Sequence, residues 1–219
     1  MKVGTDGVLL GAVASLKKDP YSILDIGAGT GLVALMLAQR SSTQNIDAIE
    51  LDEGAYEQCV ENFEASPWAD RLFCYHASFQ EFYREMDDHY DLIVSNPPFF
   101  SESVTSGNSS RDTARQNTAL PFEQLFEGLE KLLAKNGVFS IIIPTPEEKK
   151  VLELAKEILL FPFEILKIKG NPNVSFKRSI VQFSYAQRPI SERELIIELG
   201  RHQFTQDYIN LTKDFYLKM

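Results

Sequence analysis

Ser22-Ile23-Leu24-Asp25-Ile26-Gly27-Ala28-Gly29-Thr30-Gly31 decides the architecture. A short run of apolar, β-branched residues ends in three glycines at alternate positions, and the apolar stretch Leu32 to Gln39 follows at once. The order is strand, turn, helix. Glycines so spaced let the backbone approach a ligand closely and aim the free N–H groups of the next helix at it. A dinucleotide site would want Gly-x-Gly-x-x-Gly; here the third glycine comes one residue early, and an acid, Asp25, stands two positions before the first. A second strand, Asn45 to Asp52, ends in acids roughly 20 residues beyond the glycines, where a Rossmann-like sheet meets ribose hydroxyls. Glu50 is the expected ribose acceptor, with Asp52 beside it.

The stretch Tyr90-Asp91-Leu92-Ile93-Val94-Ser95-Asn96-Pro97-Pro98-Phe99-Phe100 sets an amide, a rigid turn and two aromatic rings directly after another apolar run. Leu92 to Val94 suits a strand buried on both faces, and the two prolines forbid further ladder bonds, so the strand stops at Asn96. Pro97 biases Asn96 away from the helical region. The Asn96 amide and the Pro97 carbonyl then project together from the carboxyl end of the strand, where open α/β sheets bind ligands. Two adjacent acceptors suit a planar exocyclic amine, whose nitrogen they would make more pyramidal and more nucleophilic. Phe99 is placed to stack on its ring. Taken alone, the same residues also read as an ordinary strand end before a Pro-Pro turn. Asp-x-Gly-x-Gly, however, resembles the pattern of enzymes that use S-adenosylmethionine. Asn96-Pro97-Pro98-Phe99 resembles the Asn-Pro-Pro-Tyr/Phe motif of the amino-group methyltransferases among them.

A chain of 219 residues, 44% apolar, is long enough for one domain with a substantial core, and a single domain over residues 1–219 is expected. Lys and Arg number 22 against 31 Asp and Glu, a net charge of −9. That balance argues against a generic nucleic-acid binder, so any RNA contact must come from a local patch. Cys59 and Cys74 are too few for a disulfide framework or a zinc site; a reducing cytoplasm fits, and no metal is expected. Val8 to Leu16 superficially resembles a signal-peptide core, but Asp6 precedes it. No run reaches the roughly 20 apolar residues of a membrane span.

Lys2-Val3-Gly4-Thr5-Asp6-Gly7 leads into an apolar helix-like stretch that Thr5 or Asp6 could cap. Beside the Asn-Pro-Pro-Phe motif, it resembles the segment that covers the methionine end of the cofactor in a family of tRNA adenine-N6 methyltransferases. Lys2, Thr5 and Asp6 therefore join Asp25, Gly27, Gly29, Glu50, Asp52 and Asn96 as expected cofactor-site residues. Members of that family usually carry a further segment before this one, which makes a truncated start an expectation. A helix from Glu53 to Glu64 and a strand from Leu72 to His76 come next. Related enzymes often place an Asp after that strand against the adenine of the cofactor. Ala77-Ser78-Phe79 has none, so Ser78, Phe79 and backbone groups are the expected substitutes.

Ser101 to Thr118 is a long polar segment, and long polar loops are functional or disordered. Its Arg111 and Arg115 share a face if it becomes helical, as a surface pair or a substrate clamp. A helix from Pro121 to Ala134, a strand from Val138 to Ile143 and a helix from Pro146 to Leu160 follow. Two strands, Phe163 to Ile168 and Ile180 to Tyr185, come last. From Ile165 to Ile190 there are five basic residues (Lys167, Lys169, Lys177, Arg178, Arg188) and no acid. Lys169, Lys177 and Arg178, with Arg111 and Arg115, are the expected RNA contacts. The tail, Glu192 to Met219, with Phe204-Thr205, Tyr208 and Leu211 to Leu217, resembles the closing segment of the same family.

Alternating strands and helices with a final pair of strands give a class I methyltransferase, Rossmann-like α/β fold: a seven-stranded, mostly parallel sheet whose last strand is antiparallel. With four matching segments in order, nearly the whole chain resembles the bacterial tRNA1(Val) (adenine-N6) methyltransferases. The resemblance implies methylation of N6 of the adenosine immediately 3′ of the anticodon, with Asn96, Pro97 and Phe99 as catalytic residues, S-adenosylmethionine as cofactor and tRNA as partner; a monomer is the expected form. Methylation of a glutamine amide in a protein, and a non-catalytic role binding cofactor or RNA, are the alternatives.

Overall fold

A computed structural model describes residues 4–16, 19–97 and 120–217. The short apolar runs become strands because they are buried on both faces: all of β1 (Ser22–Ile26) and most of β2 (Asn45–Glu50) and β4 (Tyr90–Ser95) are out of solvent. β3 (Leu72–His76), β5 (Leu133–Pro144), β6 (Phe161–Lys169), β7 (Arg178–Ser184) and β8 (Ser191–Ile196) complete one sheet in the order β3-β2-β1-β4-β5-β7-β6-β8. β1 to β5 run parallel, β7 inserts antiparallel between β5 and β6, and β8 pairs with β6 in parallel.

On one face, α1 (Thr5–Val13), α2 (Leu32–Arg40), α3 (Glu53–Glu64) and α7 (Gln206–Thr212) pack around Leu9, Leu37, Phe63 and Tyr208. On the other, α4 (Phe79–Glu85), α5 (Phe122–Leu132) and α6 (Glu148–Glu157) pack around Phe82, Phe126, Leu129 and Val151. Phe126, Phe139 and Phe183 meet with ring centroids 5.9–6.4 Å apart on that face. Burying each such ring contributes roughly 1.5–3 kcal/mol. α4 and α5 touch because residue 128 is glycine: a Cβ there would lie 2.3 Å from Phe79 Cε1.

The fold class is the expected one, and the sheet has one strand more than expected. β7, the seventh strand, is antiparallel. Ser191-Glu192-Arg193-Glu194-Leu195-Ile196 adds β8 at the edge, with its first four residues exposed and therefore with no apolar pattern to announce it. The backbone ladder and an ion pair between Arg193 and Glu164 hold it in place. The helix expected to reach Ala134 ends at Leu132, where β5 begins, and the ladder shifts register between Tyr90 and Leu92. Neither Thr5 nor Asp6 caps α1, whose N-cap is Gly4 with no side-chain bond.

Candidate active site at the carboxyl ends of β1, β2 and β4

The chain runs outward from β1 to β3 and then crosses back to β4 on the far side of β1. The carboxyl ends of β1 and β4 thus bound the crevice in which such sheets bind ligands. Register fixes what meets there. Ile26 is paired with both Ser95 and Ile49. Gly27 and Asn96 therefore leave the sheet side by side, about 4.8 Å apart, with Glu50 on the opposite flank of β1. The Ser95 hydroxyl reinforces this by donating to the Ile26 carbonyl at 3.0 Å. Asn96 is half-buried and Pro97 buried. α1 closes a third side: a Cβ on Gly7 would lie 3.8 Å from Asn96 Nδ2 and 3.3 Å from Leu32 Cδ2.

The glycine turn has φ values of 71° at Gly27, 60° at Gly29 and 80° at Gly31, all in the region that glycine alone adopts freely. The N–H groups of Gly27 and Ala28 both donate to the Ile49 carbonyl at 3.0 Å, lashing the turn to β2. Gly31 is small because a Cβ would sit 2.5 Å from Phe63 Cε1 and 2.8 Å from Cys59 Sγ on α3. Among the described residues, nothing lies within 4 Å of where a Cβ on Gly27 would be. The described backbone therefore leaves room there for a close approach.

The acids around the turn are already bonded to backbone. Asp25, 1% exposed, accepts the Ala34 N–H at 3.1 Å and so anchors the first turn of α2. Burial pushes its pKa up to about 7, against that hydrogen bond, with the charge of Glu50 adding to the rise. Asp25 thus supports the glycine turn and α2 from within, out of reach of solvent. Glu50 Oε2 accepts the Gly29 N–H at 2.7 Å, and Oε1 accepts those of Leu51 at 2.9 Å and Asp52 at 2.8 Å. Of about four acceptor positions on a carboxylate, one on Oε2 is untaken among the described residues. Accepting two ribose hydroxyls therefore requires exchanging one of these bonds. Asp52 is the N-cap of α3, accepting the Ala55 N–H at 2.9 Å.

Ser78 proves to be the N-cap of α4 in a capping box: its hydroxyl accepts the Glu81 N–H at 3.2 Å and donates to Glu81 Oε2 at 2.7 Å, while its own N–H donates to the same oxygen at 3.0 Å. Both Ser78 donors are thus committed to Glu81, whose pKa they hold below the usual carboxylate range. The Phe79 ring is core, edge-on to Tyr83 at 5.3 Å. Leu51, 44% exposed beside Glu50, is an apolar surface at this edge that the sequence reading passed over. The signal was available as an apolar residue directly after the strand's terminal acid. His76 stacks on Tyr56 at 5.0 Å and bonds the Leu51 carbonyl at 3.0 Å. Among the described residues, no cluster of His, Cys, Asp or Glu could hold a metal ion.

Of the expected RNA contacts, Lys169, Lys177 and Arg178 lie on the same rim, because Pro144 at the end of β5 pairs with Arg178 and Ile168 near the end of β6 pairs with it from the other side. Lys169 Nζ lies 4.9 Å from the Phe176 ring centroid, and Lys177 is exposed. Arg178 Nε bonds Asp6 Oδ2 at 2.7 Å. Two residues expected to serve different ligands are thereby joined, and α1 is tied to β7. The basic run is less concentrated than its sequence suggests: Lys167 pairs with Glu148 at 3.5 Å, and Arg188 packs on Phe163 at 3.9 Å near the opposite ends of the strands. Lys2, Phe99, Arg111 and Arg115 lie outside the described residues.

Residues 7–157 match the family described as methyltransferase small domain. The chain is 55% identical over 222 residues to a tRNA1(Val) (adenine(37)-N6)-methyltransferase of Flavobacterium johnsoniae, covering all of this chain and 94% of the relative. It is 42% identical over 220 residues to the protein of that name in Bacteroides fragilis, covering all of this chain and 92% of the relative. A solved structure described as a predicted O-methyltransferase from Agrobacterium tumefaciens superposes with a TM-score of 0.74 over 95% of this chain and 96% of its own, at 19% identity. A ribosomal protein L11 methylase from Lactobacillus delbrueckii gives 0.57 over 81% and 76%, at 16% identity. These distant structures share the fold.

Proposed function

Since the chain belongs to the methyltransferase small-domain family, and within it to the tRNA1(Val) (adenine(37)-N6)-methyltransferases, we propose that it methylates N6 of the adenosine immediately 3′ of the anticodon in that tRNA, with S-adenosylmethionine as donor. The observation that carries the reading is the juxtaposition of Asn96 with the open glycine turn, set by the Ile26 to Ser95 pairing. When bound, the donor supplies a methyl group activated by a sulfonium. The fit rests on three features among the described residues: room over Gly27, the untaken acceptor position on Glu50 for a ribose hydroxyl, and the apolar Leu51 beside it.

The protein's own work is binding and positioning. An adenosine in a tRNA loop must leave its stack to reach the crevice. There the Asn96 side-chain oxygen and the Pro97 carbonyl accept the two N6 hydrogens and hold the nitrogen lone pair toward the methyl. Holding donor and acceptor in line supplies most of the acceleration. No strong base is needed, because the nitrogen becomes acidic as it is alkylated and loses its proton late. Phe99 and the rim residues Lys169, Lys177 and Arg178 are assigned to the base and to the RNA backbone, with Arg111 and Arg115. No helix among the described residues is long and apolar enough to cross a membrane, and the cytoplasm is the compartment in which this substrate is found.

The test is incubation with isotopically labelled S-adenosylmethionine and total tRNA, digestion to nucleosides and chromatography. Label in N6-methyladenosine, mapped to the position after the anticodon of tRNA1(Val), is expected. Label in protein glutamine, or none, overturns the reading.

A further inference from the structure

Beyond the end of β8 the chain does not turn back at once. The Ile197 and Glu198 N–H groups continue the ladder onto the carbonyls of Lys169 and Gly170, at 3.1 and 2.9 Å. The chain then forms a two-stranded hairpin, β9 (Glu198–Gly200) and β10 (Gln203–Phe204), and returns to the same level, where the Thr205 N–H donates to the Ile197 carbonyl at 2.9 Å. Thr205 fixes the base, its hydroxyl donating to the Ile196 carbonyl and accepting the Tyr208 N–H at the start of α7. The hairpin therefore reaches past the last ladder bond of the sheet by about three residues, at most roughly 10 Å. It is the Phe204-Thr205 segment that the sequence marks out and that the methyl-transfer chemistry does not use.

Its tip carries a cation unpaired among the described residues, and open apolar surface. Arg201 and His202 form the tip and are exposed, with His202 at φ 62° so that the turn is tight. Arg201 makes no ion pair among the described residues, whereas Glu198, the nearest acid in the hairpin, accepts the His202 N–H at 3.2 Å. Phe204 leans on Tyr208 at 5.3 Å but keeps 37% of its surface in solvent, and Leu199 keeps 65%. Lys169 and the half-buried Phe176 flank the hairpin through the Glu198 to Gly170 bond. Arg201 beside the partly open Phe204 ring, with Lys169 nearby, offers a cation and a stacking face to a backbone that carries phosphates and bases, while the acids Glu198 and Asp207 to either side confine that contact to the tip.

Position decides which part of the RNA is met. β8 is four strands from β4 in the sheet, so the hairpin lies about 19 Å along the rim from Asn96. That is farther than the one extruded nucleotide extends. We propose that the β9–β10 hairpin is a second docking element for the tRNA, with Arg201 and His202 on the phosphates of the stem that carries the target loop, and Phe204 as their apolar support. This rests on the reading of the chain as a tRNA methyltransferase.

The test compares the wild-type chain with Arg201→Ala/His202→Ala on two substrates, whole tRNA and a single-stranded oligonucleotide of the loop alone, and measures tRNA retention on filters across a salt series. The double variant should raise KM for tRNA about tenfold and lower the salt slope by about one unit for each phosphate no longer neutralised. KM for the loop oligonucleotide, kcat, cofactor affinity and thermal midpoint should stay at wild-type values. Wild-type methylation of tRNA with an indistinguishable double variant overturns the hairpin's role alone, as does an equal loss on both substrates. A wild-type chain that neither methylates nor retains tRNA overturns both readings.

Discussion

The two halves of the rim are built on opposite terms. Around β2, β1 and β4, nearly every polar side chain is committed to backbone: Asp25 to Ala34, Glu50 to three N–H groups, Asp52 to Ala55 and Ser95 to Ile26. Around β6 and β8, apart from Arg178, which Asp6 holds, the groups at the edge are exposed: Lys177, Arg201, His202 and Phe204. The first half is organised before any ligand arrives, which is what methyl transfer by positioning requires. The second presents long side chains to solvent, which suits a charged polymer held by many weak contacts. Substitutions in the first half should change stability, rate or cofactor affinity, and those in the second only RNA affinity.

The sharpest way to break this contrast is Asp25. Its folded pKa of about 7 stands above an unfolded value of about 3.9. The folded state thus holds the proton more tightly, and the associated stability is full below about pH 4 and lost as pH rises through 7. Three units correspond to about 4 kcal/mol. The wild-type thermal midpoint should therefore fall between pH 5 and pH 8, while Asp25→Asn, which keeps an acceptor for Ala34, should flatten the curve. Equal slopes for the two proteins would remove Asp25 from the titration.

Next in size is Asn96→Ala, which should lower the methylation rate by about 10²–10³ and leave cofactor affinity unchanged by calorimetry. Retained turnover would move the chemistry away from the β4 end. Glu50→Ala should weaken S-adenosylmethionine binding by about 10- to 100-fold, the worth of one charge-assisted bond. An unchanged dissociation constant would hand the ribose to another group. The smallest effect belongs to the open half: Lys177→Ala should weaken tRNA binding a few-fold and reduce its salt slope by about one, with cofactor binding untouched. A change in cofactor affinity there would show that the halves are coupled.

What was legible in the sequence follows the same divide. The glycine turn could be read because positive φ and close approach leave few other residues acceptable, and the end of β4 because two prolines cannot continue a ladder. The start of α4 is equally legible, since Ser78-x-x-Glu81 ahead of an apolar pair is a capping box in plain view, and a Ser with both donors in a cap has none left for an adenine. β8 had no such signal, since an edge strand held by backbone and a charge pair needs no apolar alternation. The Asp6 to Arg178 bond joins residues 172 apart, and no local pattern reports a pairing of that kind.

β7 lies between β5 and β6 although it follows both in the chain. During synthesis, the outer edge of β5 has no partner until Arg178 to Ser184 have emerged. From Pro144 to Ser184 is 184 − 144 = 40 residues, which a ribosome adds in about 2–8 s. For that interval the nascent chain carries a fully apolar strand edge, Ile141 to Ile143, with β6 made but unable to cover it. Those seconds, rather than any feature of the finished molecule, are when this fold is most open to pairing with the wrong strand.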